Sequence, residues 1–353
     1  MDFKRRRATI EQVARLAGVS TTTVSNVLND RTNAMRPATR QRVLDSAQVL
    51  GYHPSQAARS LASRQTATLG LVIAEIATPL FFGAVSVIEH AARDAGYNVL
   101  LCHASTPAEE TQALDLLQEK DVEGVVFLST SDYRDEGALL RFADSVPVVT
   151  INRSGFGGSF ARVAWDNMQG MATAVRHLHQ LGHGRIAFLR GPADRQGSDE
   201  RFQGYRFGLA ECGLPFIDEI VTTGDYTAGA DDWRRSAEAL LAASTKPTAV
   251  IASDDSVAAV VIKTVQDHGL RVPGDVAVVG VDDQPFAPFL NPSLTTVRLP
   301  IVEAGQKAIT FLLDRLHGDS TGSARVMLPM TLVVRESCGA LQAAATAERI
   351  VSA

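Results

Sequence analysis

From Thr68 onward, short apolar runs alternate with amphipathic stretches, and that alternation restricts the fold more than any other feature of the chain. The runs are Leu69–Ala74, Asn98–Cys102, Gly124–Ser129, Val146–Ile151, Arg185–Arg190, Ala249–Ala252 and Val276–Val281. They are too short for helices and rich in Val, Ile and Leu, as strands buried on both faces require. Between them lie Phe81–Ala95, Ala108–Glu119, Met168–Leu181, Ala230–Ala242 and Ser256–His268, with apolar positions at helical spacing. This rhythm predicts an α/β fold of parallel sheets with helices on both faces. At about 275 residues, the region is long for a single sheet, which predicts two lobes.

Composition excludes several other classes. Of 353 residues, 45% are hydrophobic and 21% charged, unlike a disordered or collagen-like chain. No run reaches the roughly 18 apolar residues of a membrane helix; Leu69–Ile88 is interrupted by Glu75 and Pro79. Lys4, Arg5, Arg6 and Arg7 are followed by no apolar run, so no secretory signal is expected. Cys102, Cys212 and Cys338 form no CxxC pair, which predicts neither a disulfide framework nor a zinc site and fits a reducing cytoplasm. Charge is uneven. Residues 1–60 hold ten Lys/Arg against four acids, a balance of +6, so the remainder carries −11 within a total of −5. A basic head on an acidic body suggests that the head alone approaches a polyanion, although a solvated charged surface gives the same count.

The head reads as short helices. Thr9 and Gln12 are spaced as a capping box, with Ile10, Val13, Ala14 and Ala17 on one face. Gly18 interrupts, and Ser20 is placed to cap a second helix whose inner face is Val24, Val27 and Leu28. Pro37 opens a third helix with an apolar face of Val43, Leu44, Ala47 and Leu50, which Gly51 closes and Pro54 forbids from continuing. Ile10 to Asn29, IEQVARLAGVSTTTVSNVLN, is thus a helix–turn–helix pattern. A helix that enters the major groove needs a polar, unobtrusive outer face, here Thr21, Thr22, Ser25, Asn26 and Asn29. Thr offers a hydroxyl and a methyl, and Asn pairs with adenine.

On these residues the chain resembles the lac repressor family of bacterial transcription regulators. TIEQVARLAGVSTTTVSNVLN matches its DNA-reading motif, and RPATRQRVLDSAQVLGYHPSQAARSLAS its third helix and hinge helix. TLGLVIAEIATPLFFGAV, HLHQLGHGRIAFLRGP, RVPGDVAVVGVDD, NPSLTTVRLP and LVVRES follow in family order. The resemblance implies a helix-turn-helix head at 1–54, a hinge helix at 55–65, a core at 66–340 and a short tail at 341–353. It implies a type I periplasmic-binding-protein-like core whose first lobe takes about 66–164 and 293–326, and whose second takes about 165–292 and 327–340. DNA contacts would come from Thr9, Ser20, Thr21, Thr22, Thr23, Ser25, Asn26, Asn29, Arg36, Ser55, Ala58 and Leu61. Leu61 would wedge between base steps in the minor groove or pack one hinge helix on another, or do both. Asn26 stands where the family often has Arg, which exchanges a guanine preference for adenine. Arg36 stands where a capping Ser is usual.

In open α/β sheets, ligands sit beyond the C-terminal strand ends. Polar residues cluster there: Asn152 and Arg153, Ser253 and Asp254, Asp282 and Asp283, with Arg201 one loop beyond its strand and opening a helix. Asp, Asn and Arg supply the paired donors and acceptors a polyol needs, and aromatic faces cover its apolar side. By the resemblance, Phe82, Asn152, Arg201, Tyr226, Ser253 and Asp282 match effector-lining positions, with Asp166 and Arg195 as further candidates. The family often has Asp at Asn152 and Asn at Ser253.

Other signals carry less. His177 and His179 are two apart on a helix and do not face each other, so no metal is expected there with His183. GFGGSF at Gly155 has no Gly at the third fingerprint position, against dinucleotide binding. The pairs Asp254–Asp255 and Asp282–Asp283 come with no nucleophile and base, so no catalysis and no cofactor are expected. The expectation is a cytoplasmic, homodimeric repressor, bound to a palindromic double-stranded DNA operator and controlled by a small carbohydrate. A transport-type sugar-binding protein is the other reading of the core.

Overall fold

A computed structural model describes residues 8–28, 35–52, 65–74, 79–128, 137–152, 160–193, 195–226, 228–318 and 324–341. It falls into two compact units, Met1–Ala67 and Thr68–Ala353.

Among the described residues the first unit holds three helices, α1 (Ile10–Ala17), α2 (Thr21–Leu28) and α3 (Pro37–Leu50). The Thr9 amide donates to the Gln12 side chain at 3.0 Å, as the spacing predicts. Gly18 ends α1 at φ 65°, a left-handed backbone that suits glycine. Ser20 Oγ accepts the Thr23 amide at 3.1 Å and so caps α2. Val13, Ala14, Ala17, Val24, Val27, Val43 and Ala47 form the core, with Ile10, Leu28, Leu44 and Leu50 partly buried around it. Small side chains at these positions bring the three helices close together. No side chain of Arg36 caps α3, whose first residue, Pro37, needs no amide partner.

Among the described residues the second unit contains two six-stranded sheets. The first sheet is built from β1 (Thr68–Ile73), β2 (Asn98–His103), β3 (Gly124–Leu128), β4 (Val148–Ile151), β5 (Ala161–Trp165) and β11 (Arg325–Leu328), in the order β11-β5-β4-β3-β1-β2. Every pairing in it is parallel. The second sheet comprises β6 (Ile186–Arg190), β7 (Val221–Thr223), β8 (Ala249–Ala252), β9 (Ala277–Asp282), β10 (Thr295–Arg298) and β12 (Thr331–Val333), in the order β12-β10-β9-β8-β6-β7. Only β12 runs antiparallel. Central strands β3, β4, β8 and β9 are buried along their whole length, whereas edge strand β2 buries a single residue, Cys102. Helices α4 (Phe82–Asp94), α5 (Pro107–Glu119), α6 (Gly137–Ala143) and α11 (Ile301–His317) pack with the first sheet. Helices α7 (Asn167–Gln180), α8 (Gln196–Glu211), α9 (Ala230–Ala242) and α10 (Asp255–Asp267) pack with the second.

The expected strands and helices that fall on described residues are present within a few residues of their expected ends, and the hinge helix expected at 55–65 lies outside the described residues. The periodicity missed β5, β7, β10, β11 and β12, which are short or carry polar residues such as Thr331 and Arg325. Their pairing comes from neighbouring strands, not from local pattern. One boundary moves. The second segment of the first lobe was expected from 293, but Thr295–Arg298 pairs with β9 in the second sheet. The chain therefore crosses back after Arg298, and α11 is the first element of the return.

Helices α7 and α8 approach closely because glycines face the contact. A Cβ on Gly204 would sit 2.5 Å from the Met168 carbonyl oxygen. Backbone cannot yield as a flexible side chain would, so Gly204→Ala is expected to destabilise the second unit by about 1–3 kcal/mol. Gly184, with open space around its Cβ position, should tolerate Ala within about 0.5 kcal/mol. Urea unfolding followed by circular dichroism compares the two; equal midpoints would show that the helices part freely.

Candidate functional site

Two surfaces of the chain are organised for recognition. In the head, α2 presents Thr21 and Thr22 exposed, with Ser25 and Asn26 half-buried beside them. Ser20 and Thr23 are engaged with each other, hydroxyl to hydroxyl at 2.9 Å, which ties them to the helix start. Thr9 and Arg36 are exposed at the starts of α1 and α3. Asn29, Ser55, Ala58 and Leu61 lie outside the described residues.

In the second unit, a cavity of about 330 Å³ opens between the two sheets at their C-terminal strand ends. That size lies at the lower end of small-molecule sites. The first lobe contributes Leu80, Phe81, Asn152 and Trp165; the second contributes Arg195, Ser198, Arg201, Tyr226, Trp233, Asp254, Asp282 and Gln284, among others. Five expected residues thus meet here: Asn152, Arg195, Arg201, Tyr226 and Asp282. Asn152 follows β4 at φ 56° and Asp282 ends β9 at φ 114°, both in backbone regions that side chains rarely adopt. Such turns are held by their surroundings and recur at binding sites.

Arg201 is the hub of the polar side. It sits in the second turn of α8, not at its opening, because the helix starts at Gln196. Its Nη1 donates to the Ser253 carbonyl at 2.5 Å and its Nε to Asn167 Oδ1 at 3.1 Å. Its Nη2 lies 3.5 Å from Asp282 Oδ1, both side chains being largely buried. A buried pair of this kind leaves little net charge and keeps donors and acceptors fixed. The aromatic side is Tyr226 against Trp233, ring centroids 5.2 Å apart, with the Arg195 guanidinium 5.6 Å above the Tyr226 ring. Gly191 permits this: a Cβ there would lie 2.5 Å from Tyr226 Oη. Burial pushes the Tyr226 phenol up, so it stays neutral and hydrogen-bonding.

Three expected residues are placed elsewhere. Phe82 is 59% exposed and outside this cavity, while Phe81 is 3% exposed and lines it. The short turn Pro79–Phe81 precedes α4 and directs Phe81 inward. Asp166 caps α7, accepting the Gln169 amide at 2.9 Å. Ser253 is buried behind the lining and offers its carbonyl to Arg201. Phe81, Trp165, Trp233, Ser198 and Gln284 line the cavity too, and the sequence pattern did not mark them as ligand positions.

A carboxylate cluster runs from the cavity wall at Asp254 to Asp255 and Asp283 behind it. Asp254 caps α10, accepting the Val257 amide at 2.8 Å. Asp283 accepts from Arg298 and Arg335, each at 2.6 Å. Asp255 is fully buried, and burial pushes its carboxyl from an ordinary 3.8 up to about 7. The folded chain therefore holds this proton more tightly than the unfolded chain. The stability that results is complete below about 4 and is lost as pH rises towards about 7. Among the described residues no group of three or more His, Cys, Asp or Glu could hold a metal ion. His177 instead contacts Cys338 Sγ at 3.3 Å, and His183 contacts Thr248 at 3.1 Å. No described helix is long and apolar enough to cross a membrane.

Comparison with known proteins agrees with this two-part organisation. Residues 9–55 match the bacterial regulatory proteins of the lacI family, and residues 175–338 match a periplasmic binding protein-like domain. The chain is 33% identical to the ribose operon repressor of Escherichia coli (strain K12), over 94% of this chain and 99% of that one. It is similar to the transcriptional regulator CelR in its cellobiose complex, with a TM-score of 0.70 and 33% identity, over 94% of this chain and 100% of that one. It is also similar to the lac repressor dimer bound to operator and the anti-inducer ONPF, with a TM-score of 0.85 and 26% identity, over 94% of this chain and 99% of that one. With a helix–turn–helix head, a ligand-sized cleft and these relatives, the chain is a DNA-binding transcription regulator, not an enzyme, and belongs to the lacI family of bacterial regulatory proteins.

Proposed function

We propose that the protein is a homodimeric repressor of the bacterial cytoplasm that binds an inverted-repeat operator and is controlled by a small carbohydrate held between its two core lobes. The observation that carries the ligand reading is the cavity itself. It pairs aromatic walls, Tyr226 and Trp233, with the fixed polar groups of Arg201, Asp282, Asn152 and Gln284. Sugars present apolar ring faces and dense hydroxyls, and this wall and these groups complement them. That relatives include a ribose operon repressor and a cellobiose complex supports the same ligand class. Effector binding would shift the equilibrium between open and closed lobes, and the chain crosses between the two sheets three times to couple them.

In this reading α2 reads base edges through Thr21, Thr22, Ser25 and Asn26, with Asn29 continuing the same face. Thr9, Ser20, Thr23 and Arg36 hold the phosphates. Ser55, Ala58 and Leu61 belong to a hinge helix that orders on DNA, where Leu61 inserts into the minor groove. A head of this size binds weakly alone, and two heads related by a two-fold axis read a palindrome. The faces of α4, α5 and α10 supply the dimer interface.

Three measurements test this. With a cognate site obtained by in vitro selection, Thr22→Ala or Asn26→Ala should weaken cognate binding by about 1–3 kcal/mol and leave random DNA nearly unaffected. Equal losses on both would remove the base-reading role. In a thermal-shift and calorimetric panel containing D-ribose and cellobiose, Asp282→Asn should lower sugar affinity by about 10–100-fold, the loss of a charge-assisted hydrogen bond, with DNA binding retained. Wild-type affinity in that variant would move the effector elsewhere. Light scattering should report about 75 kDa, twice the 37.7-kDa chain, as a two-fold dimer requires. A monomer or a tetramer at micromolar concentration contradicts the assembly.

A further inference from the structure

Asp255 is the most completely buried acid among the described residues, and it does not line the cavity. It is the first residue of α10. Its Oδ1 accepts the Thr296 hydroxyl at 2.5 Å, and its Oδ2 accepts the Gln284 amide at 2.7 Å. Gly280 on β9 makes room for it: a Cβ there would lie 2.3 Å from Asp255 Oδ1. The carboxyl therefore joins α10, β10 and the turn after β9.

That turn is backbone-strained. Asp282 and Asp283 follow one another at φ 114° and 58°, a conformation that two non-glycine residues keep only when contacts impose it. The contacts are the Asp255 bond to the Gln284 amide, the Asp283 amide donating to Thr296 Oγ1 at 3.3 Å, and the Arg298 and Arg335 bonds to the Asp283 carboxylate. The turn also carries two cavity groups, the Asp282 carboxylate and the Gln284 side chain, whose Nε2 donates to Ser256 Oγ at 3.3 Å.

We propose that Asp255 is a positioning residue of the cleft: through Gln284 and Thr296 it fixes the strained turn that aims Asp282 and Gln284 into the cavity, and its protonation state sets the cavity's geometry. The functional weight of this inference rests on reading the cavity as the effector site. The mechanism is a matter of hydrogen-bond parity. An ionised Asp255 accepts from both Thr296 and Gln284. A protonated one must donate once, and the acceptor nearest Oδ1 is Thr296 Oγ1, which already accepts from the Asp283 amide. The Thr296 link therefore reverses on protonation. The charges that face Asp255 are Asp254 on its own helix and Asp283 on the turn, the latter held by Arg298 and Arg335; Asp282 beyond is held by Arg201 from α8. Burial, with the two like charges adding to it, disfavours the ionised form and outweighs the Thr296 and Gln284 hydrogen bonds, so the exchange falls where the group has been pushed up to about 7.

The chain's two tryptophans, Trp165 and Trp233, both line the cavity, so intrinsic fluorescence reads its geometry without a ligand. In full-length protein titrated from about pH 5.5 to about pH 8.5, emission and acrylamide quenching should show one transition centred near 7. Asp255→Asn should abolish it, Thr296→Val should displace it, and Thr296→Ser, which keeps the hydroxyl, should restore it. Whichever of D-ribose and cellobiose binds should lose about tenfold in affinity in Asp255→Asn at the alkaline end, the equivalent of one hydrogen bond. A transition that persists in Asp255→Asn, the absence of one in the wild type, or identical behaviour of the two Thr296 variants overturns the proposal. If Asp255→Asn does not fold, the Thr296 pair decides alone. The transition without binding of either sugar supports the positioning role and counts only against the carbohydrate reading.

Discussion

Parallel pairing is the constraint on which the core depends. A parallel strand cannot return through a tight hairpin, so each is followed by a crossover that covers a sheet face. In this chain that requirement places helices on both faces of two sheets and leaves the C-terminal strand ends as the open edge of each. Asn152 after β4, Ser253 after β8 and Asp282 at the end of β9 gather at those edges for that reason. The cavity is where the two open edges face each other, and its lining comes from both lobes.

A cleft that collects charged groups must satisfy them. Arg201 spends its donors on Asn167, Ser253 and Asp282, and Asp283 is held by two arginines. Asp255 has no cation; a hydroxyl and an amide serve it instead, and it keeps its proton to near neutrality. Buried polar groups of this kind contribute less to stability than to uniqueness of geometry. The positive φ values at Asn152, Asp282 and Asp283 show the same economy, with strain at the rim sustained by packing beneath.

The head works under a different constraint. With a core of mainly Val and Ala side chains, it buries little apolar surface, and its helices depend on their caps: Thr9 with Gln12, Ser20 with Thr23, and the left-handed Gly18 and Gly51. The same caps leave the outer face of α2 short and polar, the shape a major groove admits.

Much of this was legible in the sequence because it is local. Helix caps, the helix–turn–helix spacing and the seven apolar runs are written in consecutive residues, and they specified the head, the α/β class and, near the strand ends, Asn152, Arg201 and Asp282; Tyr226 and Arg195 came through the family resemblance. What the tertiary structure decided is non-local. Strands β10 to β12 take their identity from neighbours far away in the chain, so Thr295–Arg298 joined the second lobe against expectation. Phe81 instead of Phe82 lines the cavity because a turn of three residues sets which ring points inward. Trp233 and Gln284 reach the cavity from a helix and a turn whose placement follows sheet order, and Asp255 acquires its character from burial under Gly280. Local pattern reports what a residue prefers; desolvation and close approach, which set what these residues do, exist only once distant segments have packed.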